Sequence, residues 1–268
     1  RLAKRIPKPM IYAVTVCYCR SAQLARCLLE YHSNIADKHV FVLAHYPIDT
    51  ERNNHEIRLI IESYQKRVGY PVEILDPGGD IGSAQSQQWA LEQLNVDWAK
   101  DYWINLDPDS IAITPGYQQA MKEALDADPN LAVVSLMCPM VRDLLQARGQ
   151  ELTEKNIGGH KAGIAEMPSP FNLSMFRCSF IKEIGGIRQF FPSWGELEGV
   201  IFREAQLREK YHGYLLDYWE DESNKYFHPK SNAQWKDLHA RTIGPTQFLG
   251  TYKEFLEYHY PEIANLKL

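Results

Sequence analysis

The sequence has little that would tie the protein to a membrane or to nucleic acid. Its most continuous apolar stretches, such as Leu131–Val141, fall far short of the about 20 residues that span a bilayer. No transmembrane helix is therefore expected. The formal net charge of −5 supplies no general attraction to nucleic acid or to anionic lipid, so either partner would need a local basic patch.

Three common signatures of catalysis are also missing. Pro77–Gly82 lacks the first glycine of the G-x-G-x-x-G dinucleotide fingerprint, and Gly158–Lys161 lacks the spacing and the hydroxyl of a P-loop. No G-x-S-x-G nucleophile elbow is present. These absences argue against a dinucleotide enzyme, a P-loop nucleotidase and an α/β-hydrolase.

Cysteine is scarce and its count is odd. Five cysteines in 268 residues do not suggest a disulfide framework, since a chain of this length can fold without one. Cys17 and Cys19 have no second pair to complete a zinc site. We expect reduced, mostly buried thiols and a cytoplasmic protein, free or peripheral to a membrane.

What the sequence does contain is a regular alternation of strand and helix patterns over residues 11–140. We predict strands at Ile11–Cys17, His39–Ala44, Pro71–Leu75, Asp101–Leu106 and Leu131–Met137, and helices at Ser21–Tyr31, Glu51–Val68, Ser83–Leu94 and Pro115–Ala127. Such alternation is typical of βαβ units and a largely parallel sheet.

The pattern changes after residue 140. Apart from a short helix at Val141–Arg148, the polar segment Arg142–Pro170 is interpreted as a long functional or mobile insertion. Further along we predict elements at Asn172–Phe176, Phe180–Gly185, Leu197–Tyr211, Tyr214–Tyr218, Lys225–His228 and Thr246–His259.

The most informative motif is Leu106-Asp-Pro-Asp-Ser110 at the end of the fourth predicted strand. In parallel sheets ligands bind beyond the carboxyl ends of the strands. Asp107 and Asp109 can face one point if the chain turns at Pro108, and carboxylate oxygens suit Mg²⁺ or Mn²⁺ together with phosphate. The alternative is an ordinary exposed turn in which an aspartate caps the next element.

Several motifs together resemble one family. They are Thr15–Arg20 after the first strand, Asp80–Gln88, Tyr102–Asp109, Asn172–Arg177 with Ile184–Ile187, Trp194–Glu198 and Lys225–His228. In this order they resemble the nucleotide-sugar glycosyltransferases of the GT-A fold, closest to the broad family 2 type. The resemblance implies an α/β, GT-A-like (Rossmann-type) mixed and mainly parallel sheet flanked by helices.

The resemblance also implies a domain organisation. Residues 1–10 would be a basic tail and residues 11–228 the glycosyltransferase domain, with a nucleotide-binding half at 11–140 and an acceptor half at 141–228. Residues 229–268 would form a C-terminal lid loop and helix. In that tail Lys236, His239 and Arg241 could pair with the donor diphosphate, or they could form a solvated basic linker.

The resemblance assigns roles to single residues. It implies metal binding by Asp107 and Asp109, with His228 as a third ligand. It implies donor contacts from Thr15, Cys17, Tyr18, Arg20, Asp80, Gly82, Gln85 and Gln88. Trp194, which lies near the candidate catalytic acids, is the best candidate for stacking on an acceptor sugar.

Two features depart from the family pattern. Ala44-His45 stands where the second strand usually ends in acidic residues that read the base. Glu196-Leu-Glu198 replaces the usual adjacent Glu-Asp, which leaves the catalytic base open between Glu198, the first choice, and Glu196. Residues i and i+2 of a helix point to different sides, so at most one of the two should face the cleft.

The sequence thus predicts a Mn²⁺- or Mg²⁺-dependent enzyme that transfers a sugar, with inversion, from a nucleoside diphosphate donor, expected to be UDP-linked, to a glycan or other hydroxyl acceptor. A hydroxylated DNA base, as in phage glycosyltransferases, is a less favoured acceptor because the net charge is negative. The alternatives are a nucleotidyltransferase acting on a sugar phosphate, against which the glycine-free first loop counts, and a catalytically dead sugar-binding domain.

Overall fold

The computed structural model of the chain describes residues 8–18, 21–30, 36–45, 50–69, 71–112, 114–147, 149, 151–166, 173–187 and 196–221. Within these residues the chain forms one mixed sheet with helices on both faces. No helix in them is long and apolar enough to cross a membrane.

The sheet contains ten strands. They are β1 (Ile11–Cys17), β2 (Lys38–Leu43), β3 (Val72–Leu75), β4 (Tyr102–Leu106), β5 (Ile111–Ala112), β6 (Leu131–Met137), β7 (Thr153–Ile157), β8 (His160–Ala165), β9 (Leu173–Arg177) and β10 (Tyr211–Asp221). Their order is β3-β2-β1-β4-β9-β6-β10-β8-β7, and β5 pairs with β10 beside this path.

The parallel strands are β3, β2, β1, β4, β6 and β10, because β9 runs antiparallel to both of its neighbours β4 and β6. Strands β1, β4 and β6 are buried along their whole length. Continuous burial explains why they carry unbroken apolar, often β-branched runs rather than an alternating pattern. The predicted fold class is confirmed.

Seven helices connect these strands within the described residues. They are α1 (Ser21–Glu30), α2 (Thr50–Val68), α3 (Ser83–Gln93), α4 (Tyr117–Ala127), α5 (Pro139–Ala147), α6 (Cys178–Glu183) and α7 (Glu196–Leu207). Apolar side chains of α1, α2 and α4 pack on one face of the sheet, and those of α3, α6 and α7 pack on the other.

One prediction for the second half of the chain was wrong. Arg142–Pro170 is not a structureless insertion after its short helix, because β7 and β8 form an antiparallel hairpin within it. The hairpin turns at Gly158 and Gly159, both with positive φ, and a Cβ on Gly158 would lie 2.8 Å from the Glu123 carbonyl oxygen. β7 is exposed at four of its five positions, so it lacks the apolar alternation that would have revealed it.

The end of the described chain also differs in detail from the prediction. The helix predicted to reach Tyr211 ends at Leu207, and the next strand begins at Tyr211 and continues to Asp221. An irregularity lies between Leu215 and Trp219, where the register of β10 against β6 shifts. The elements predicted at Lys225–His228 and Thr246–His259 lie outside the described residues, and so does the proposed lid.

Two histidines are buried in the layers on either side of the sheet. The ring of His39 lies 3.1 Å from the Thr15 hydroxyl, and that of His212 lies 2.7 Å from the Ser135 hydroxyl. Burial lowers the pKa of each ring to about 3. Both rings are therefore neutral in the folded protein at physiological pH.

This burial predicts a loss of stability in mild acid. The pKa of histidine is 6.5 in the unfolded chain and about 3 at these two positions in the folded protein. Between pH 6.5 and pH 4 the unfolded chain therefore binds protons that the folded protein does not bind. We therefore expect the free energy of unfolding to fall as the pH drops, by at most about 1.4 kcal/mol per pH unit for each histidine. Urea denaturation at pH 7, 6 and 5 measures this slope.

The matched variants are His39→Asn and His55→Asn. His39→Asn should flatten the slope, whereas His55→Asn, on the exposed side of α2, should keep the wild-type slope. Identical slopes in all three proteins would contradict the assignment to the buried ring. Asp128 and the other carboxylates whose pKa is lowered by folding affect stability at lower pH, because their pKa values lie below 3.8.

Candidate functional site

The polar residues that follow the parallel strands gather at one edge of the sheet. This carboxyl edge carries Tyr18 after β1, His45 after β2, Asp76 after β3 and Asp107 after β4. Because ligands of parallel sheets bind at this edge, it is the candidate site.

The two acids predicted to bind a metal lie on a short turn between β4 and β5. The turn closes with a hydrogen bond of 3.0 Å from the Ser110 amide to the Asp107 carbonyl. Asp107 is partly exposed, and Asp109 is only 3% exposed. We call residues 107–110 the acid turn.

Ser110 fixes the acid turn against two other elements. Its carbonyl oxygen accepts a hydrogen bond of 2.9 Å from the Cys27 thiol of α1. Its hydroxyl donates to the carboxylate of Glu220, 3.3 Å away on β10. Glu220 is 1% exposed and pairs across β10 and β5 with Ala112.

Acidic groups lie near the Cys27 thiol beside this turn. Burial raises the pKa of the Cys27 thiol well above its ordinary value, and the nearby charges of Asp109 and Glu220 raise it further. The sequence reasoning singled out neither Cys27 nor Glu220. Residue 220 is 110 positions from Ser110, and no local pattern indicates a contact at that separation.

The donor set of the acid turn fits a hard divalent cation. Asp107 and Asp109 offer carboxylate oxygens, and Mg²⁺ is usually held through one or two carboxylates plus substrate phosphates. Among the described residues, no group of three or more His, Cys, Asp or Glu side chains is arranged to hold a metal. A site here would therefore depend on the ligand's own oxygens or on a further residue. The predicted third ligand, His228, lies outside the described residues.

The donor-binding residues predicted on β1 are largely buried. Thr15 is 1% exposed and hydrogen-bonded to His39, and Cys17 is 2% exposed. At this exposure neither residue offers a surface that a ligand could contact. Tyr18 lies at the carboxyl edge, where its carbonyl oxygen accepts a hydrogen bond of 2.6 Å from Asn53 of α2.

The second predicted donor segment opens α3. The Asp80 carboxylate accepts a hydrogen bond of 2.9 Å from the amide of Gly82, whose φ of 82° favours glycine. Gln85 is exposed. Gln88 has a structural contact instead, because its side-chain oxygen accepts a hydrogen bond of 2.8 Å from the amide of Ile187, just after α6.

The two candidate bases both belong to α7. This helix precedes β10 and packs against it, so its first turn lies towards the carboxyl edge of the sheet. Glu198 is half-buried and stands three and four residues before the buried Ile201 and Phe202, which places it on the side of the helix that faces the sheet. Glu196 is the first residue of the helix.

A polar cluster at the ends of β2 and β3 was not predicted. His45, with a φ of 51°, lies 2.5 Å from the carboxylate of Asp76, and Arg58 of α2 donates to the same carboxylate at 2.8 Å. Partial burial raises the pKa of Asp76, but hydrogen bonds from His45 and from the Gly78 amide, together with the charge of Arg58, lower it overall. The signal in the sequence was an aspartate directly after the third predicted strand.

The remaining predicted site residues fall outside the described part of the chain. They are Arg20, Trp194, Lys236, His239 and Arg241, together with His228. Their assigned roles stay predictions. The four cysteines that the structure does describe, Cys17, Cys27, Cys138 and Cys178, are buried thiols that form no disulfide with one another.

Comparisons with known proteins found likeness in structure only. No protein-family model matches the sequence, and no curated protein is similar enough to match it. A structure of S. aureus TarS residues 1–349 matches 81% of this chain and 62% of its own at 12% identity, with a TM-score of 0.48. A second TarS structure matches 81% of this chain and 38% of its own at 14% identity, with a TM-score of 0.50.

A further match is GalNAc-T7, whose structure was determined with UDP, GalNAc and Mn²⁺. It covers 94% of this chain and 54% of its own at 9% identity, with a TM-score of 0.56. The chain thus spans between 38% and 62% of the length of these neighbours. Likeness at such low identity concerns the fold. From the match with GalNAc-T7, the chain has a GT-A-like fold.

Proposed function

We propose that the protein is a glycosyltransferase that uses a divalent cation to move a sugar from a UDP-linked donor to a hydroxyl acceptor, a glycan, with inversion. The observation that carries the proposal is the position of the acid turn, at the carboxyl edge of a GT-A-like sheet. GalNAc-T7, a neighbour in fold, was crystallised with UDP, GalNAc and Mn²⁺, which supports this choice of donor, sugar-bearing substrate and ion.

In this proposal Asp107 and Asp109 hold Mn²⁺ or Mg²⁺ against the donor diphosphate. The ion supplies positive charge where the leaving diphosphate becomes more negative. The protein's part is to hold the turn that carries the two carboxylates, to which the hydrogen bonds from Cys27 and to Glu220 contribute through Ser110. A fixed pair of ligands needs no rearrangement when the donor binds.

Glu198 is the proposed base. Inversion requires the acceptor hydroxyl to attack the anomeric carbon from the face opposite the diphosphate and to lose its proton as it does so. A carboxylate near the first turn of α7 lies towards the same sheet edge as the acid turn. Its half-buried position before the buried Ile201 and Phe202 supports Glu198 as the first choice.

Asp76 is proposed to read the base of the nucleotide. The second strand ends in Ala44-His45 and supplies no acid, but the adjacent third strand ends in Asp76, which His45 contacts directly. A carboxylate accepts the imide N–H of uracil, whereas cytosine offers no N–H at that ring position. Arg58 and His45 keep this carboxylate ionised and oriented.

The first test of the function is nucleotide binding. UDP with Mn²⁺ should raise the melting temperature of the protein, because a ligand that binds only the folded state stabilises it by mass action. Asp109→Asn should remove the Mn²⁺-dependent part of this shift and abolish transfer, while Asp143→Asn, an exposed acid on α5, should change neither. A preference for nucleoside triphosphates would indicate a nucleotidyltransferase, and no response to any nucleotide would indicate a non-catalytic domain.

Recognition of the nucleobase is tested by a substitution at Asp76. Asp76→Asn should weaken UDP binding by about tenfold, which corresponds to the loss of one hydrogen bond to a charged group, and should narrow the preference for UDP over CDP. Isothermal titration with both nucleotides measures the two affinities. Asp143→Asn, at an exposed acid on α5, should change neither affinity. An unchanged UDP-to-CDP ratio in Asp76→Asn would place base recognition elsewhere.

The role of Glu198 as the catalytic base is tested with Glu198→Gln, which keeps the size of the side chain and removes its basicity. Binding of UDP and Mn²⁺ should remain, and sugar transfer should fall by about a hundredfold or more. Release of UDP from UDP-linked sugars, measured with a panel of glycan acceptors, reports the rate. If Glu198→Gln is fully active while Glu196→Gln is not, the role belongs to Glu196.

A further inference from the structure

Two buried amides connect α3 to the acid turn. Gln87 of α3 is 3% exposed and Asn105 of β4 is 7% exposed. The Gln87 side-chain nitrogen lies 2.7 Å from the Asn105 side-chain oxygen. The Asn105 side-chain nitrogen lies 3.3 Å from a carboxylate oxygen of Asp107. We call Gln87 and Asn105 the amide relay.

The direction of the relay follows from the charge at its end. An ionised Asp107 carboxylate only accepts hydrogen bonds, so Asn105 must present its N–H to it. The oxygen of Asn105 then faces Gln87, which must present its own N–H in turn. The hydrogen bond from Gln87 thereby fixes the orientation of the Asn105 amide. The N–H of Asn105 then points at the Asp107 carboxylate.

Both members of the relay stand on rigid elements. Asn105 pairs with Val14 of β1 on one side and with Ser174 of β9 on the other, so its backbone is held in the centre of the sheet. Gln87 lies on the face of α3 whose neighbours Ala84 and Leu91 pack in the apolar layer. Burying an amide among apolar side chains costs free energy of folding unless the amide is hydrogen-bonded. Packing alone therefore does not explain why two amides occupy these buried positions.

We propose that Gln87 is a positioning residue which, through Asn105, orients the Asp107 carboxylate and sets the affinity of the acid turn for a divalent cation. The inference rests on the proposed function, which places the cation at Asp107 and Asp109. Hydrogen-bonding partners of metal ligands typically tune metal affinity by about 10- to 100-fold. Neither residue of the relay needs to touch the cation or the donor.

The test measures Mn²⁺ binding directly, by the electron paramagnetic resonance signal of free Mn²⁺ in the presence of UDP. Gln87→Met removes the donor but keeps length and adds no charge, and it should weaken Mn²⁺ binding by about fivefold. Asn105→Leu removes the contact to Asp107 itself and should weaken binding by about tenfold. Gln93→Met, on the exposed side of α3, should bind Mn²⁺ as the wild type does.

A double-mutant cycle separates positioning from a general loss of structure. If Gln87 acts through Asn105, adding Gln87→Met to Asn105→Leu should cause no further loss of Mn²⁺ affinity. An equal loss in both backgrounds, or wild-type Mn²⁺ affinity in Asn105→Leu, would overturn the proposal. Absence of Mn²⁺ binding by the wild-type protein with UDP would overturn the proposed function as well, so the two failures are distinguishable.

Discussion

Two hydrogen bonds made by Ser110 tie the acid turn to distant parts of the chain. One comes from the Cys27 thiol of α1, and the other goes to the Glu220 carboxylate of β10. Helix α1 belongs to the first βα unit, and β10 is the last strand of the described chain. Beyond the local hydrogen bond that closes it, the acid turn is therefore held between elements far apart in sequence.

Much of the fold could be predicted from the sequence, because buried parallel strands are long apolar runs. Ile11–Cys17 and Leu131–Met137 were located to the residue. The β7–β8 hairpin could not be found in this way, since the exposed Thr153–Asn156 carries no apolar alternation. Its turn at Gly158 and Gly159 was the available signal, because two consecutive glycines between short segments are typical of a hairpin.

The candidate site was predictable in part for a related reason. Asp107 and Asp109 stand directly after a predicted strand, so topology alone assigns them to the carboxyl edge. Glu220 and the amide relay depend on contacts between elements, which depend on register and helix packing. The sequence made Glu198 only a first choice over Glu196, and the burial of Ile201 and Phe202 adds that Glu198 lies on the side of α7 that faces the sheet.

The contact between Ser110 and Glu220 has a consequence for biosynthesis. The residues lie 110 positions apart, and the strand that carries Glu220 pairs with both β6 and β5. While a ribosome is still translating the segment before residue 220, strands β1 to β4 can already have formed, but this contact cannot. Contacts of such large sequence separation form late and slowly. The nascent chain should thus gain an ordered acid turn only after β10 has left the exit tunnel and joined the sheet.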